Sequence, residues 1–310
     1  MNKPLGSLKG ASPKAYSFLT DNGQFVKNPD CIVPIVKQNK DKLFIPLGTG
    51  FYICNQRILM TATHVLNDVI DPETQEPRQA IGIFHLFGDE KYIPIPIIWA
   101  WHSGKDISIC VTAETTHNST KKQLQNKLLQ LSKRQLDIHE PIVTYAYAGS
   151  RHEQNGKKQK LHFRPNFYDG SIEEYYPHGR DSVLMPFPCY RTNIHLHGGS
   201  SGGPVVDKNG YVIGVNCSSM TPDTDISFIT PISAIENGYI ENARLSKNEA
   251  LRRVYIKEFI ELGTLFISKR LLHKTYQFSR AFFRSSCSNA EAIEMISDFF
   301  MPKFEATSRH

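Results

Sequence analysis

No stretch of the chain carries an apolar run long enough to cross a bilayer, and the opening residues, MNKPLGSLKGASPKAYSFLTDNGQF, lack the apolar centre of a secretory signal. A soluble cytoplasmic protein with no membrane attachment is the expectation. Long tracts of one charge are missing too: a net charge of +6 is spread over 310 residues, which argues against nucleic acid as a partner. Cysteine is sparse, and Cys31, Cys54, Cys110, Cys189, Cys217 and Cys287 are widely scattered. Without export features they read as reduced, mostly buried thiols. Regular alternation of strands with helices is also lacking, which speaks against an α/β architecture.

What the chain does hold, from about Asn28 to Thr112, is a series of short apolar runs divided by turn residues: CIVPIV, LFIPLGTGFYIC, RILMTATHV, AIGIFHLFG, YIPIPIIWAW and DISICVT. β-Branched and aromatic residues at this spacing predict strands of an antiparallel sheet or barrel. A second set runs through PIVTYAYAG, KLHFRPNFY, GSIEEYY, SVLMPF, GPVVD, YVIGVNCS and ISFITPI. The predicted division is an N-terminal arm at 1–27, one β half at about 28–115, another at about 139–240, and an extension at 241–310. Between the halves, Leu124, Leu128, Leu129 and Leu131 predict an amphipathic helix over Thr116 to Asp137. In the extension, SKNE at Ser246 to Glu249 reads as a capping box, and Leu251, Val254, Tyr255, Phe259, Leu262 and Phe266 follow helical spacing. Further helices are expected over Lys269 to Phe283 and Ala290 to Phe300.

The chemistry centres on NIHLHGGSSGGPVV, Asn193 to Val206. Both Ser200 and Ser201 satisfy GxSxG, so that pattern alone does not choose a nucleophile. Serine catalysis also needs a base, a group to orient it, and donors for the oxyanion. MTATHV ends an apolar run at His64, and GKDISICV places Asp106 at the start of another. The chain order His, Asp, Ser is that of chymotrypsin rather than of the α/β-hydrolases, whose serine comes first.

Through GTGFYI, MTATHV, KDISI, GGSSGGPVV, YVIGVN and ISFITPI the sequence resembles the trypsin-like serine peptidases, and among them the bacterial HtrA proteases. The resemblance covers roughly Cys31 to Ile240. It implies two six-stranded antiparallel β-barrels, here followed by a C-terminal α-helical extension. GxSGGP falls on Gly199 to Pro204 and makes Ser201 the nucleophile. His64 is then the general base, Asp106 orients the imidazole, and the amides of Gly199 and Ser201 form the oxyanion hole. Ser200 stands where relatives activated by a new N-terminus carry aspartate, which argues against that activation route.

The resemblance also puts His195 near the base of the substrate pocket, Asn216, Cys217 and Ser218 on one wall, and Ser227 on another. Backbone groups of Asn216 and Ser218 would pair with an extended peptide. With no carboxylate on the pocket floor, a small or polar substrate side chain is expected rather than Arg or Lys. His195 and His197 are too few for a zinc site, and no metal or cofactor is expected. The polar stretches Gly149 to Gln159 and Phe167 to Arg180 read as long loops; they, or the extension, are expected to order the site when a partner or ligand binds, a regulatory protein partner engaging the C-terminal helices. The expected function is a serine endopeptidase acting on protein or peptide substrates through an acyl-enzyme. The alternatives are a peptidase-fold binding or scaffold protein with little turnover, and an esterase.

Overall fold

The computed structural model describes residues 17–20, 22–26, 30–54, 58–87, 91–113, 128–155, 158–219, 226–243, 245, 249–261 and 267–268. Two closed β-barrels dominate. The first contains β1 (Ile32–Gln38), β2 (Phe44–Cys54), β3 (Ile58–Ala62), β4 (Ile81–Phe87), β5 (Lys91–His102) and β6 (Ile107–Thr112). The second contains β7 (Pro141–Ala146), β8 (Asn166–Tyr176), β9 (Cys189–Thr192), β10 (Pro204–Asp207), β11 (Val212–Ser219) and β12 (Ser227–Pro231).

Every neighbouring pair in the two barrels is antiparallel. The first closes in the order β1-β2-β3-β6-β5-β4 and the second in the order β7-β8-β9-β12-β11-β10. The connectivity is therefore the same in both halves. Closure removes exposed strand edges, and inward-facing side chains fill each barrel. Phe51, Leu59, Met60 and Ile109 are fully buried in the first, and Ile142, Ile172, Val205 and Ile229 lie together in the second.

The stretch between the barrels departs from the helical expectation. Residues 116–127 lie outside the described residues, but 128–137 are not helical: Leu129 bridges Thr20, and Leu131–Ser132 forms a short strand. That strand runs parallel to β11 through Val212, and on its other side pairs with Ile267–Ser268. Leu128, Leu129 and Leu131 are all buried. An extended segment covered on both faces produces a cluster of leucines that mimics a helical stripe.

The extension is corrected in the same way. Arg252–Tyr255 is a strand paired antiparallel with Tyr239–Ala243, and Arg253 lies 4.0 Å over the ring of Tyr239. The helical part is the short α1 (Ile256–Glu261). Val254, Ile256 and Phe259 join the core cluster that includes barrel-one residues. The helices expected over 269–283 and 290–300 lie outside the described residues. Neither polar stretch of the second half is an irregular loop: Arg151–Asn155 pairs with Lys158–His162 as a hairpin, and β8 takes up most of Phe167 to Arg180. Asp169, Ser171 and Glu173 alternate with Tyr168, Gly170 and buried Ile172, which suits a strand with one polar face.

Candidate active site

Strand pairing brings the first two residues together. Ala62 at the end of β3 faces Ile107 at the start of β6. His64, in the 3-10 turn Thr63–Val65 just past β3, therefore sits beside Asp106, just before β6. His64 Nδ1 lies 2.9 Å from Asp106 Oδ2 and 3.0 Å from Oδ1, and the His64 amide donates to Oδ1 at 3.0 Å. A carboxylate accepts, so Nδ1 is the donor and Nε2 is left as the basic nitrogen. The His64 side chain is 40% exposed, open to an incoming ligand, while Asp106 is 14% exposed.

Asp106 is held in a left-handed conformation, φ 54°. Thr63 N donates to its carbonyl at 3.2 Å. Behind it, Thr63 Oγ1 meets Ser108 Oγ at 2.9 Å and Ser108 Oγ meets His102 Nδ1 at 2.6 Å. Burial lowers the His102 pKa, which favours the neutral ring in this network.

Ser201 arrives from the second barrel, on the loop between β9 and β10, and packs against the first. Its carbonyl accepts from Thr49 N at 2.8 Å. A methyl group on Gly48 would meet both Ser201 O and Val65 Cγ2 at 2.8 Å, so the backbone of 201 and the turn bearing His64 flank the same glycine. Among the described residues no hydrogen bond joins Ser201 Oγ to His64. Nucleophile and base commonly close only around a bound substrate.

The preceding loop is shaped by two glycines in the left-handed region, Gly199 at φ 91° and Gly202 at φ 86°. Gly149 N holds Gly198 O at 2.8 Å, which turns the amide of Gly199 to the opposite side of that peptide plane. Thr49 Oγ1 donates to Gly199 O at 2.9 Å, and Ser200 N donates to His197 O at 3.1 Å. Among the described residues the amides of Gly199 and Ser201 donate to no protein acceptor. Ser200 is buried, its hydroxyl donating to His197 O at 2.7 Å, so it is turned away from the role of a second nucleophile.

The pocket residues are distributed less evenly. Half-buried His195 stacks edge-on with His197, ring centres 4.6 Å apart. Among the described residues no group of three or more His, Cys, Asp or Glu side chains gathers around a metal position. Ser227 is buried and its hydroxyl pairs with Thr192 Oγ1 at 2.6 Å. Cys217 is buried with Met185, Phe187, Cys189 and Phe228, and among the described residues is one of five buried cysteines outside any disulfide: Cys31, Cys54, Cys110, Cys189 and Cys217. Asn216 is already engaged: its N-H donates to Gly203 O at 3.0 Å, its carbonyl accepts from Gly202 N at 2.8 Å, and its amide nitrogen donates to Thr144 Oγ1 at 2.7 Å.

A cleft of about 560 Å³ opens at His64 and Asp106, bounded by Val183, Leu184, Met185 and Cys217. A larger one of about 970 Å³ lies along barrel one and the Tyr239–Arg253 hairpin and contains none of the three candidate catalytic residues. Thr49 and Gly149, which hold the loop before Ser201, were not singled out from the sequence. Thr49 stands inside GTGFYI, so the motif was visible although the contact was not.

Two antiparallel barrels of identical connectivity, with a His–Asp pair on one and a glycine-turned serine loop of the other packed against it, define a chymotrypsin-like peptidase architecture. The family model of the trypsin-like peptidase domain matches residues 48–215, and the chain belongs to that family. Among solved structures it is similar to the Rv3671c protease of M. tuberculosis. The active form is 16% identical, covering 76% of this chain and 88% of that one, TM-score 0.48. A serine-to-alanine mutant in its inactive form is 18% identical, covering 75% and 92%, TM-score 0.47. Deg5 is 15% identical, covering 67% and 87%, TM-score 0.45. No curated protein matches the chain. Among the described residues no helix is long and apolar enough to cross a membrane.

Proposed function

We propose that the chain is a serine endopeptidase with the triad His64, Asp106 and Ser201, cleaving protein substrates through an acyl-enzyme. The observation that carries this reading is the double approach of Asp106 to His64 Nδ1, which leaves Nε2 as the free nitrogen of an exposed imidazole. Ser201 Oγ attacks the scissile carbonyl as its proton passes to His64 Nε2. The resulting oxyanion is met by the amides of Gly199 and Ser201, where loss of one donor costs about 100- to 1000-fold in rate. His64 then returns the proton to the leaving amine, and water, activated by the same imidazole, releases the acyl group. No step requires a cofactor.

In this reading the pocket takes His195 at its base and the backbone of 217–219 along one side, with Ser227, paired to Thr192 Oγ1, on another. It offers no carboxylate for Arg or Lys, and a small or polar side chain fits best beside the cut bond. Five buried cysteines outside any disulfide, among the described residues, accord with a cytoplasmic location. A regulatory partner engaging the C-terminal residues remains part of the proposal. Its test is truncation after Ser268, because removal from 242 onward would strip buried Val254, Ile256 and Phe259 from the core. Unchanged activity and partner capture after that truncation removes the regulatory role.

The central test is a fluorophosphonate probe applied to the wild-type chain and to Ser201→Ala, with the adduct mapped by mass spectrometry. Labelling at Ser201 that vanishes in the variant supports the reading. A wild-type chain that stays unlabelled, alone or with candidate partners, points to a binding role for the fold.

A further inference from the structure

Between β8 and β9 the chain forms a turn over Arg180 to Met185 that is held from within. Asp181 Oδ1 accepts from the amides of Val183 at 2.9 Å, Leu184 at 2.6 Å and Met185 at 3.3 Å. Those amide donors, with Arg180 beside them, hold the Asp181 carboxyl well below the usual carboxylate range. Arg180 Nε donates to Asp181 Oδ2 at 2.7 Å, its amide donates to Met185 O at 2.9 Å, and its guanidinium lies 4.8 Å over the ring of Phe228. The turn is anchored at both ends to the second barrel.

Its tip is apolar and exposed. Val183 is 80% and Leu184 73% exposed, well above the other exposed large hydrophobics among the described residues. Single exposed aliphatic residues are ordinary, but an adjacent pair fixed in place at the edge of a cleft is not. This cleft is the one that contains His64 and Asp106, with Met185, Phe187 and Cys217 on the apolar side. The route past it is also defined. β10 pairs with β11 only as far as Pro204 opposite Val215, and Asn216 is committed to Gly202 and Gly203. Cys217, the next residue along β11, lines the cleft.

We propose that the Val183–Leu184 tip is the specificity-determining lip of this site, and that it selects substrates carrying a bulky apolar side chain on the segment that pairs with Cys217 to Ser219. The inference deepens the serine-peptidase reading and rests on it. The side chain enters between Leu184 and the imidazole of His64 and is covered by Val183, removing apolar surface of both partners from water. Because the turn is already fixed, little ordering cost accompanies the contact. Asp181 is a positioning residue that acts through the two aliphatic side chains.

The test profiles internally quenched peptides in which one position at a time is varied on either side of the cut bond. The wild-type chain is expected to favour Leu, Val, Met or Phe over Ser or Asp by about tenfold or more at one position on the side that adds to 217–219. The double variant Val183→Ser/Leu184→Ser, at exposed positions that tolerate the change, is expected to lose most of that preference through KM, with kcat retained. Asp181→Ala is expected to lose part of it. Undiminished preference in the double variant, with fluorophosphonate labelling of Ser201 intact, overturns the inference and leaves the peptidase reading standing. A wild-type chain that is never labelled removes that reading and the inference with it. A dimer in sedimentation that the double variant abolishes assigns the pair to self-association and also overturns it.

Discussion

Thr49 Oγ1 of the first barrel donates to Gly199 O of the second at 2.9 Å and accepts from Tyr147 N at 3.0 Å. One buried hydroxyl thus spans the barrel junction and holds the loop that carries the candidate oxyanion donors. Thr49→Val keeps the shape but leaves the buried Tyr147 amide without an acceptor. Urea unfolding should show a loss of about 2 kcal/mol, and turnover of a reporter peptide should fall by about tenfold or more as the Gly199 amide drifts. Thr49→Ser should restore most of both. Equal losses in the Ser and Val variants would mean that the methyl group, not the hydroxyl, matters.

Asp106→Asn retains the volume beside His64 but presents a side chain that can donate to Nδ1, favouring the wrong tautomer. Turnover is expected to drop about ten-thousand-fold with little change in stability. Circular dichroism alongside steady-state kinetics separates that outcome from unfolding.

Gly202 and Gly198 lie in the same loop but should respond in opposite ways. A Cβ on Gly202 would collide with Thr49 O and Thr61 Oγ1 at a φ of 86°, whereas one on Gly198 meets nothing within 4 Å. Gly202→Ala should cost about 3 kcal/mol or more. Gly198→Ala should stay within about 0.5 kcal/mol of wild type. Denaturation midpoints of the two purified variants measure the contrast.

His85 is buried in barrel one, edge-on to Tyr52 with ring centres 5.9 Å apart, and desolvation lowers its pKa from 6.5 to about 4, opposed in part by the charge of Asp30. Between those values the unfolded chain binds more protons than the folded one. Stability is therefore complete above pH 6.5 and is lost as pH falls toward 4, by up to about 3 kcal/mol. His85→Phe keeps an aromatic ring and should flatten that limb of the profile. An unchanged acid limb in the variant would assign the loss to other groups.

The barrels were legible because each strand is a short apolar run closed off by turn residues, and both halves repeat the same rhythm. The candidate triad was legible because each member sits inside a distinctive local flank: MTATHV, KDISI and GGSSGG. The helix expected around Leu128 and Leu131 was misjudged because apolar spacing records burial and not the conformation that achieves it. Arg252–Tyr255 becomes a strand through pairing with Tyr239–Ala243, a partner that helical spacing alone does not disclose. Thr49 has no local signature of its role, since the residue it holds is 150 positions away. Asp181 is different. An aspartate capping the three following amides at Val183, Leu184 and Met185 is a short-range pattern, and its turn could have been read from DSVLM.

The geometry around Ser201 depends on late-made chain. Gly202 N reaches Asn216 O, and Asn216 in turn holds Gly203, so a polypeptide emerging from the ribosome already contains His64, Asp106 and Ser201 before the strand that holds the Ser201 loop exists. Assembly of the site thus waits on completion of the second barrel, and an unfinished chain holds the residues of a peptidase without their arrangement.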